Sequence, residues 1–212
     1  MRNIPIFTTE LGVASLSLQE IPYKKSAYIT IQDSQDPAAF LAECASFCKA
    51  AGAESVYATG NAIVEQYPLY TAVWQMQADA EYLPTTDACL FPVTEETVEK
   101  WRSIYNQKME HVANASYMTT SQGREMCKSG AGYFIHRDGV LLGIGSLERD
   151  KILSVASVVP GAGKDVVLAL CSAMYCDSIG LEVASVNEKA LKLYQSLGFI
   201  QTKELIRWYK II

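Results

Sequence analysis

Residues of a type and spacing suited to chemistry are few in this chain, and they gather towards its end. Tyr194 lies on a predicted helix, and a phenol, with an ordinary pKa of about 10, can give a proton at a reacting centre. Asn187 stands at the start of that helix. Glu148 closes a predicted strand and carries a carboxylate, a group that can take up a proton. Between them, Gly161-Ala162-Gly163-Lys164 forms a turn of small residues ending in a cation. Other chemistries find no support. His111 and His136 have no Ser, Cys or Asp at triad spacing. The cysteines, at 44, 48, 89, 127, 171 and 176, show no C-x-x-C pattern and read as reduced core thiols. With two histidines in the chain, no metal site is expected.

The elements that must position these residues are locally specified. Leu181 to Val183 is a short apolar run of strand type. Asn187 is a good N-cap, because its side-chain oxygen satisfies an orphan N–H of the first turn. Ala190, Leu191, Tyr194 and Leu197 follow at helical spacing, and Gly198 suits the left-handed stop. The whole pattern, L-E-V-x-x-x-N-x-x-A-x-x-L-Y-x-x-x-G-F, resembles the signature of the GCN5-related N-acetyltransferase (GNAT) superfamily.

The order of elements upstream agrees with that resemblance. Asp87 to Val93 reads as a strand, Thr94-Glu-Glu opens a helix carrying Trp101 and Ile104, and a second helix covers Ser121 to Lys128. Gly132 to Arg137 and Val140 to Glu148 flank Asp138-Gly139, a strong hairpin signal. Ile152 to Val159 adds a third antiparallel strand. Gly163 to Ser178 is apolar nearly all round and reads as a buried helix, and a strand pair is expected after Gly198. The expected fold is therefore α+β, a mixed sheet flanked by helices, with a GNAT domain over 85–212.

An N-terminal α/β lobe is expected over 1–84. Two short strands lie at Val13–Leu18 and Ala27–Ile31, followed by a helix with Asp36 as N-cap and Pro37 in its first turn. Ala53 to Ala80 then reads strand, short helix, strand, the order also proposed from Leu181 onward. This lobe is either a decayed half-copy of the GNAT fold or an extension of the main sheet.

The resemblance implies a function and a site. Acetyl-CoA would be the co-substrate, its pantetheine arm meeting the main chain of Ser157, Val158 and Val159. Its pyrophosphate would lie over Gly161, Ala162, Gly163 and Lys164, with Asn187 as a further contact. Tyr194 would reach the thioester sulfur, and Glu148 is the candidate base by position. The acceptor would be a primary amine of a small molecule or peptide. The sequence also departs from the family: Ala162 stands where Arg or Gln is usual, and Asp165 places a negative charge beside the phosphate turn. That departure keeps open an alternative, a catalytically inactive GNAT-like module for ligand binding or association.

Composition bounds the rest. A net charge of −5 over 212 residues, without a long Lys/Arg cluster, argues against nucleic acid as a partner. No run of 18 apolar residues predicts a membrane span, and Met1 to Phe7 lacks the long apolar stretch of a secretory signal. A cytoplasmic monomer or homodimer is the expectation.

Overall fold

The computed structural model describes residues 5–212; Met1–Ile4, and with them part of the expectation about a leader, lie outside the described residues. The strands are β1 (Ile6–Thr9), β2 (Gly12–Ser17), β3 (Ser26–Ser34), β4 (Ser55–Thr59), β5 (Leu69–Asp79), β6 (Cys89–Pro92), β7 (Gly132–Arg137), β8 (Val140–Glu148), β9 (Lys151–Ser157), β10 (Ser178–Ala184) and β11 (Ile200–Lys210). The helices are α1 (Ile21–Lys24), α2 (Pro37–Ala50), α3 (Val98–Met109), α4 (Thr120–Lys128), α5 (Gly163–Ser172) and α6 (Glu188–Ser196). No helix among the described residues is long and apolar enough to cross a membrane.

The chain divides into two compact units, one of Met1–Ala72 with Ile206–Ile212 and one of Val73–Leu205. The sequence boundary at residues 84 and 85 falls inside the second unit, because β5 pairs with β10 from Val73 to Asp79. In the first unit β1, β2 and β3 are antiparallel neighbours, and α2 carries the chain from β3 to a parallel β4. Asp36 caps α2 through Ala39 N–H, as its sequence predicts. The apolar stripe Phe40, Leu41, Cys44 and Cys48 is buried against Leu16, Ile29 and Val56. Burial holds the thiols of Cys44 and Cys48 protonated, pushing them up to about 12 and about 11.

In the second unit the order is β5-β10-β9-β8-β7-β6. The predicted meander is present as antiparallel β7, β8 and β9. Asp138 and Gly139 take φ of 51° and 78°, the positive values that a type I′ turn requires. Helix α5 covers this meander at unusually close range. A Cβ built on Gly143 would lie 2.7 Å from a methyl of Val166, and one on Gly145 would overlap the Leu170 side chain. Bare backbone at these two positions lets the buried face of α5 rest on β8. On the opposite face Trp101 of α3 is buried against Phe134 and Ile144, its indole N–H donating to the Tyr133 carbonyl at 2.9 Å.

Three element expectations need correction. The residues after Gly198 form one strand, β11, rather than a strand pair. Helix α5 stops at Ser172, before Ser178, because Ser178 already pairs with Asp79 and the chain needs a loop to reach it. Helix α3 begins at Val98, since Thr94 N–H is taken by the Thr97 hydroxyl in a preceding turn.

The close approach of α5 predicts the response to overpacking. Gly145→Ala should destabilise the protein by about 1–3 kcal/mol in denaturant unfolding, and adding Leu170→Ala should relieve part of the steric clash. Unchanged stability in the single variant would contradict the packing described.

Candidate functional site

β9 and β10 are parallel neighbours for only two residue pairs, Gly180 with Lys151 and Leu181 with Ile152. Beyond these the strands part, while β9 stays paired to β8 and β10 to β5. Strand alternation then decides which main-chain groups face the gap. Val158 N–H donates to the Leu142 carbonyl at 2.8 Å, so Val155 and Ser157, of the opposite parity, turn their N–H and C=O away from β8 and towards β10. On β10, Gly180 N–H donates to the Asp150 carbonyl on the β9 side, so the main chain of Glu182 faces the same gap.

This geometry divides the residues expected to meet pantetheine. The main chain of Ser157 faces the gap. Val158 and Val159 both direct their N–H groups to the Leu142 carbonyl, at 2.8 and 3.4 Å, and those donors are engaged. Val155, unmarked in the sequence, faces the gap instead; only the pairing register reveals it.

The turn after β9 is compact. Ala162 N–H donates to the Val159 carbonyl at 3.2 Å, and Gly161 has φ of 84°, a type II turn with Pro160 and Gly161 at its centre. Helix α5 starts at once, capped by no side chain, so the first-turn N–H groups of Gly163, Lys164 and Asp165 are open to an anion. Ala162 is 5% exposed and its side chain belongs to the core. A Cβ on Gly163 would come within 3.1 Å of Leu193, which fixes the start of α5 beside α6.

Asp165 is not free to confront a phosphate. Its carboxylate accepts from the Thr86 hydroxyl at 3.1 Å and pairs with Arg137 Nη1 at 3.2 Å. The same nitrogen also reaches Asp87 at 3.4 Å. The charge that the sequence sets beside the turn is therefore held by groups from β7 and from the segment before β6.

Asn187 caps α6 as expected, accepting from Ala190 N–H at 3.3 Å. Tyr194 is 7% exposed within the core under α5 and α6, and its ring packs beside Phe199 with centroids 5.9 Å apart. Its hydroxyl makes no hydrogen bond among the described residues and is not sealed from solvent. Burial pushes its pKa up to about 12, with the nearby Cys171 as a smaller cause, so the phenol keeps its proton.

The two glutamates separate. Glu148 sits exposed at the tip of the β8–β9 hairpin, opposite Lys151. From Lys151 to Ser157 is about 20 Å along the strand, so Glu148 and the open end of the gap are not brought together. Glu182 lies one residue past the last β9–β10 pair and is exposed. Its neighbours Leu181 and Val183 point into the core with Tyr194, so its side chain leaves the sheet on the other face. Glu182 thus lies on the face of the sheet opposite the core in which Tyr194 packs. Among the described residues no cluster of three or more His, Cys, Asp or Glu is arranged to hold a metal.

No family model matches the chain. It is 42% identical over 52 residues to N-alpha-acetyltransferase 30 of Homo sapiens, a stretch that is 23% of this chain and 14% of that protein. With the protein of the same name from Xenopus laevis it is 50% identical over 34 residues, 16% of this chain and 12% of that one. The chain therefore spans only 14% and 12% of the lengths of these relatives. Among solved structures, a GCN5-related N-acetyltransferase from Sphaerobacter thermophilus matches with a TM-score of 0.59 and 11% identity, over 93% of this chain and 75% of that one. An acetyltransferase of the GNAT family from Colwellia psychrerythraea matches with a TM-score of 0.51 and 10% identity, over 97% and 84%. A functionally unknown conserved protein from Staphylococcus epidermidis matches with a TM-score of 0.60 and 10% identity, over 99% and 94%. The fold is that of the GCN5-related N-acetyltransferases, as the terminal motif implied.

The environment of Tyr194 predicts a signature in alkali. The unfolded phenol ionises near 10 and the folded one near 12, so its contribution to stability is intact below pH 10 and is lost as pH rises through 12. Tyr194→Phe should shallow the fall in melting temperature across that window, relative to the wild type. Equal slopes in both proteins would show that Tyr194 is not held protonated by the fold.

Proposed function

We propose that the protein is an N-acetyltransferase, moving an acetyl group from acetyl-CoA directly to a primary amine of a small molecule or peptide. The observation that carries this is the parting of β9 from β10, which leaves main-chain donors and acceptors of Val155 and Ser157 facing a gap. The chain's residues suit the co-substrate: Val155 and Ser157 offer main-chain groups to a polar arm, and the first turn of α5 offers N–H groups to phosphate. When bound, acetyl-CoA supplies the activated acyl group.

Each side chain then has one task. Glu182 takes the proton that the amine must lose as the new C–N bond forms, from the face opposite the core. An α-amine has a pKa of about 8, so about a tenth is already neutral near pH 7 and a weak base suffices. Tyr194 donates a hydrogen bond to the departing sulfur. Full proton transfer from a phenol at about 12 to a thiolate of pKa about 8.5 is uphill by roughly 5 kcal/mol, so stabilisation by the hydrogen bond is the role the environment favours. Main-chain N–H groups in the gap polarise the acyl carbonyl without reorganising. The name of the curated relatives, N-alpha-acetyltransferase, supports a peptide α-amine as acceptor.

A second reading, a binding module without catalysis, is favoured by one feature: Ala162 offers no polar side chain to the phosphates. The two readings part on measurement. Acetyl-CoA at 100 times its Kd should stabilise the protein by about 2.7 kcal/mol in thermal unfolding. Tyr194→Phe and Glu182→Gln should each lower kcat by about a hundredfold or more while keeping that stabilisation. Glu148→Gln should leave kcat unchanged. The basic limb of the rate profile should show no loss from Tyr194 below about pH 11, given its pKa of about 12. Stabilisation without turnover on any peptide or small amine would favour the binding module, and no stabilisation at any concentration would reject the acetyltransferase reading.

A further inference from the structure

The face of the second unit's sheet that carries Glu182 continues onto two further strands. In the β10–β5 register Glu182 stands opposite Gln75. The Gly180 N–H turns towards β9, so Glu182 and Gln75 pair without mutual main-chain bonds, the arrangement in which opposite side chains come closest. β11 lies on the other side of β5. Two side-chain bonds fix how it lies there. The Trp74 indole N–H donates to Glu204 at 3.4 Å, and the Thr202 hydroxyl donates to the Gln75 carbonyl at 3.3 Å. Trp74 packs on the core, so Glu204 reaches the core side, and Lys203, the residue before it, points to the other face. Glu182, Gln75 and Lys203 thus form a row across three strands. At two strand spacings, the ends of the row are about 10 Å apart.

The row is polar and open. Glu182 and Lys203 are exposed and Gln75 is half-buried. None of the three side chains has a hydrogen bond or ion pair among the described residues. Alternation places no other charged side chain on this face along 73–77, 180–184 and 201–205. A carboxylate and an ammonium that do not neutralise each other match a ligand of the opposite polarity. An amine at Glu182 would extend an anionic group towards Lys203, across an amide able both to donate and to accept. An extended peptide, at about 3.4 Å per residue, covers that separation by its third residue, or by the side chain of its second.

We propose that the acceptors are peptides with a free α-amine and an acidic side chain at the second or third residue, and that Lys203 selects them. The inference rests on the acetyltransferase reading above, with Glu182 as the base. Lys203 stands at the far end of the row from the reacting nitrogen, so its task is selection rather than chemistry. On a protein of net charge −5 an acidic peptide is repelled overall, and a local cation decides where it docks.

The test measures acetyl transfer from acetyl-CoA to three peptides that differ only at the second and third residues, both glutamate, both glutamine or both lysine. The wild type should favour the glutamate peptide over the glutamine one by about three- to fivefold in kcat/KM, chiefly through KM, and should use the lysine peptide least. The preference should shrink as salt is raised. Lys203→Gln should remove the difference between the glutamate and glutamine peptides. Lys203→Glu should reverse the order in favour of the lysine peptide. Both variants should melt with the wild type, since the residue is exposed, which separates a changed order from a folding defect. A wild type that treats the three peptides alike, or an order that survives Lys203→Glu, overturns the inference while the acetyltransferase reading stands. Transfer to small amines but to none of the peptides has the same meaning. No transfer to any amine rejects the acetyltransferase reading itself, and the inference with it.

Discussion

A strand edge left without a partner is the constraint on which this structure turns. Peptide groups away from water must be hydrogen-bonded, and β9 and β10 satisfy each other over only two residue pairs before they separate. Past that point each strand is anchored on its far side alone, β9 by β8 and β10 by β5. The gap therefore persists without either strand losing its place in the sheet. What remains is a row of oriented main-chain groups, donors and acceptors of Val155 and Ser157 and the carbonyl of Glu182. Their positions are determined by register rather than by side-chain chemistry.

The rest of the second unit maintains that edge and furnishes its ends. Gly143 and Gly145 let α5 lie close on β8, and the tight turn at Pro160-Gly161 starts α5 directly from β9. Gly163 lets the start of α5 lie against Leu193 of α6. Two helix starts thus open at the same end of the sheet as the gap, and Tyr194 packs in the core that those helices cover. The cluster of Thr86, Asp87, Arg137 and Asp165 ties the segment before β6, the end of β7 and the first turn of α5 to one another.

Much of this was legible where local chemistry decides it. Asp138-Gly139 announces its hairpin because both positions need positive φ, and Asn187 and Asp36 announce their helices because caps are satisfied within a few residues. The terminal motif reads correctly for the same reason, and the family fold follows from it. What could not be read is set by pairing between distant segments. Glu148 looks like a base by its position in the chain, but the register places it at the far tip of the hairpin. Val155 and Val158 are alike in sequence, and only the bond from Val158 to Leu142 shows which one faces the gap. Asp165 reads as a liability until Arg137, distant in sequence, is found against it. Helix α5 runs on in the hydrophobic pattern past its true end, because strand pairing at Ser178 overrides the pattern.

The central claim is that the open edge between β9 and β10, with the first turn of α5, holds the acyl donor. Backbone amide hydrogen exchange, recorded with and without saturating acetyl-CoA, reads that edge residue by residue. The account predicts added protection at Val155 and Ser157 and at Gly163 to Asp165. The already engaged amides of Val158 and Gly180 should change little. Binding that protects other parts of the chain and leaves Val155, Ser157 and the start of α5 exchanging as before would contradict it.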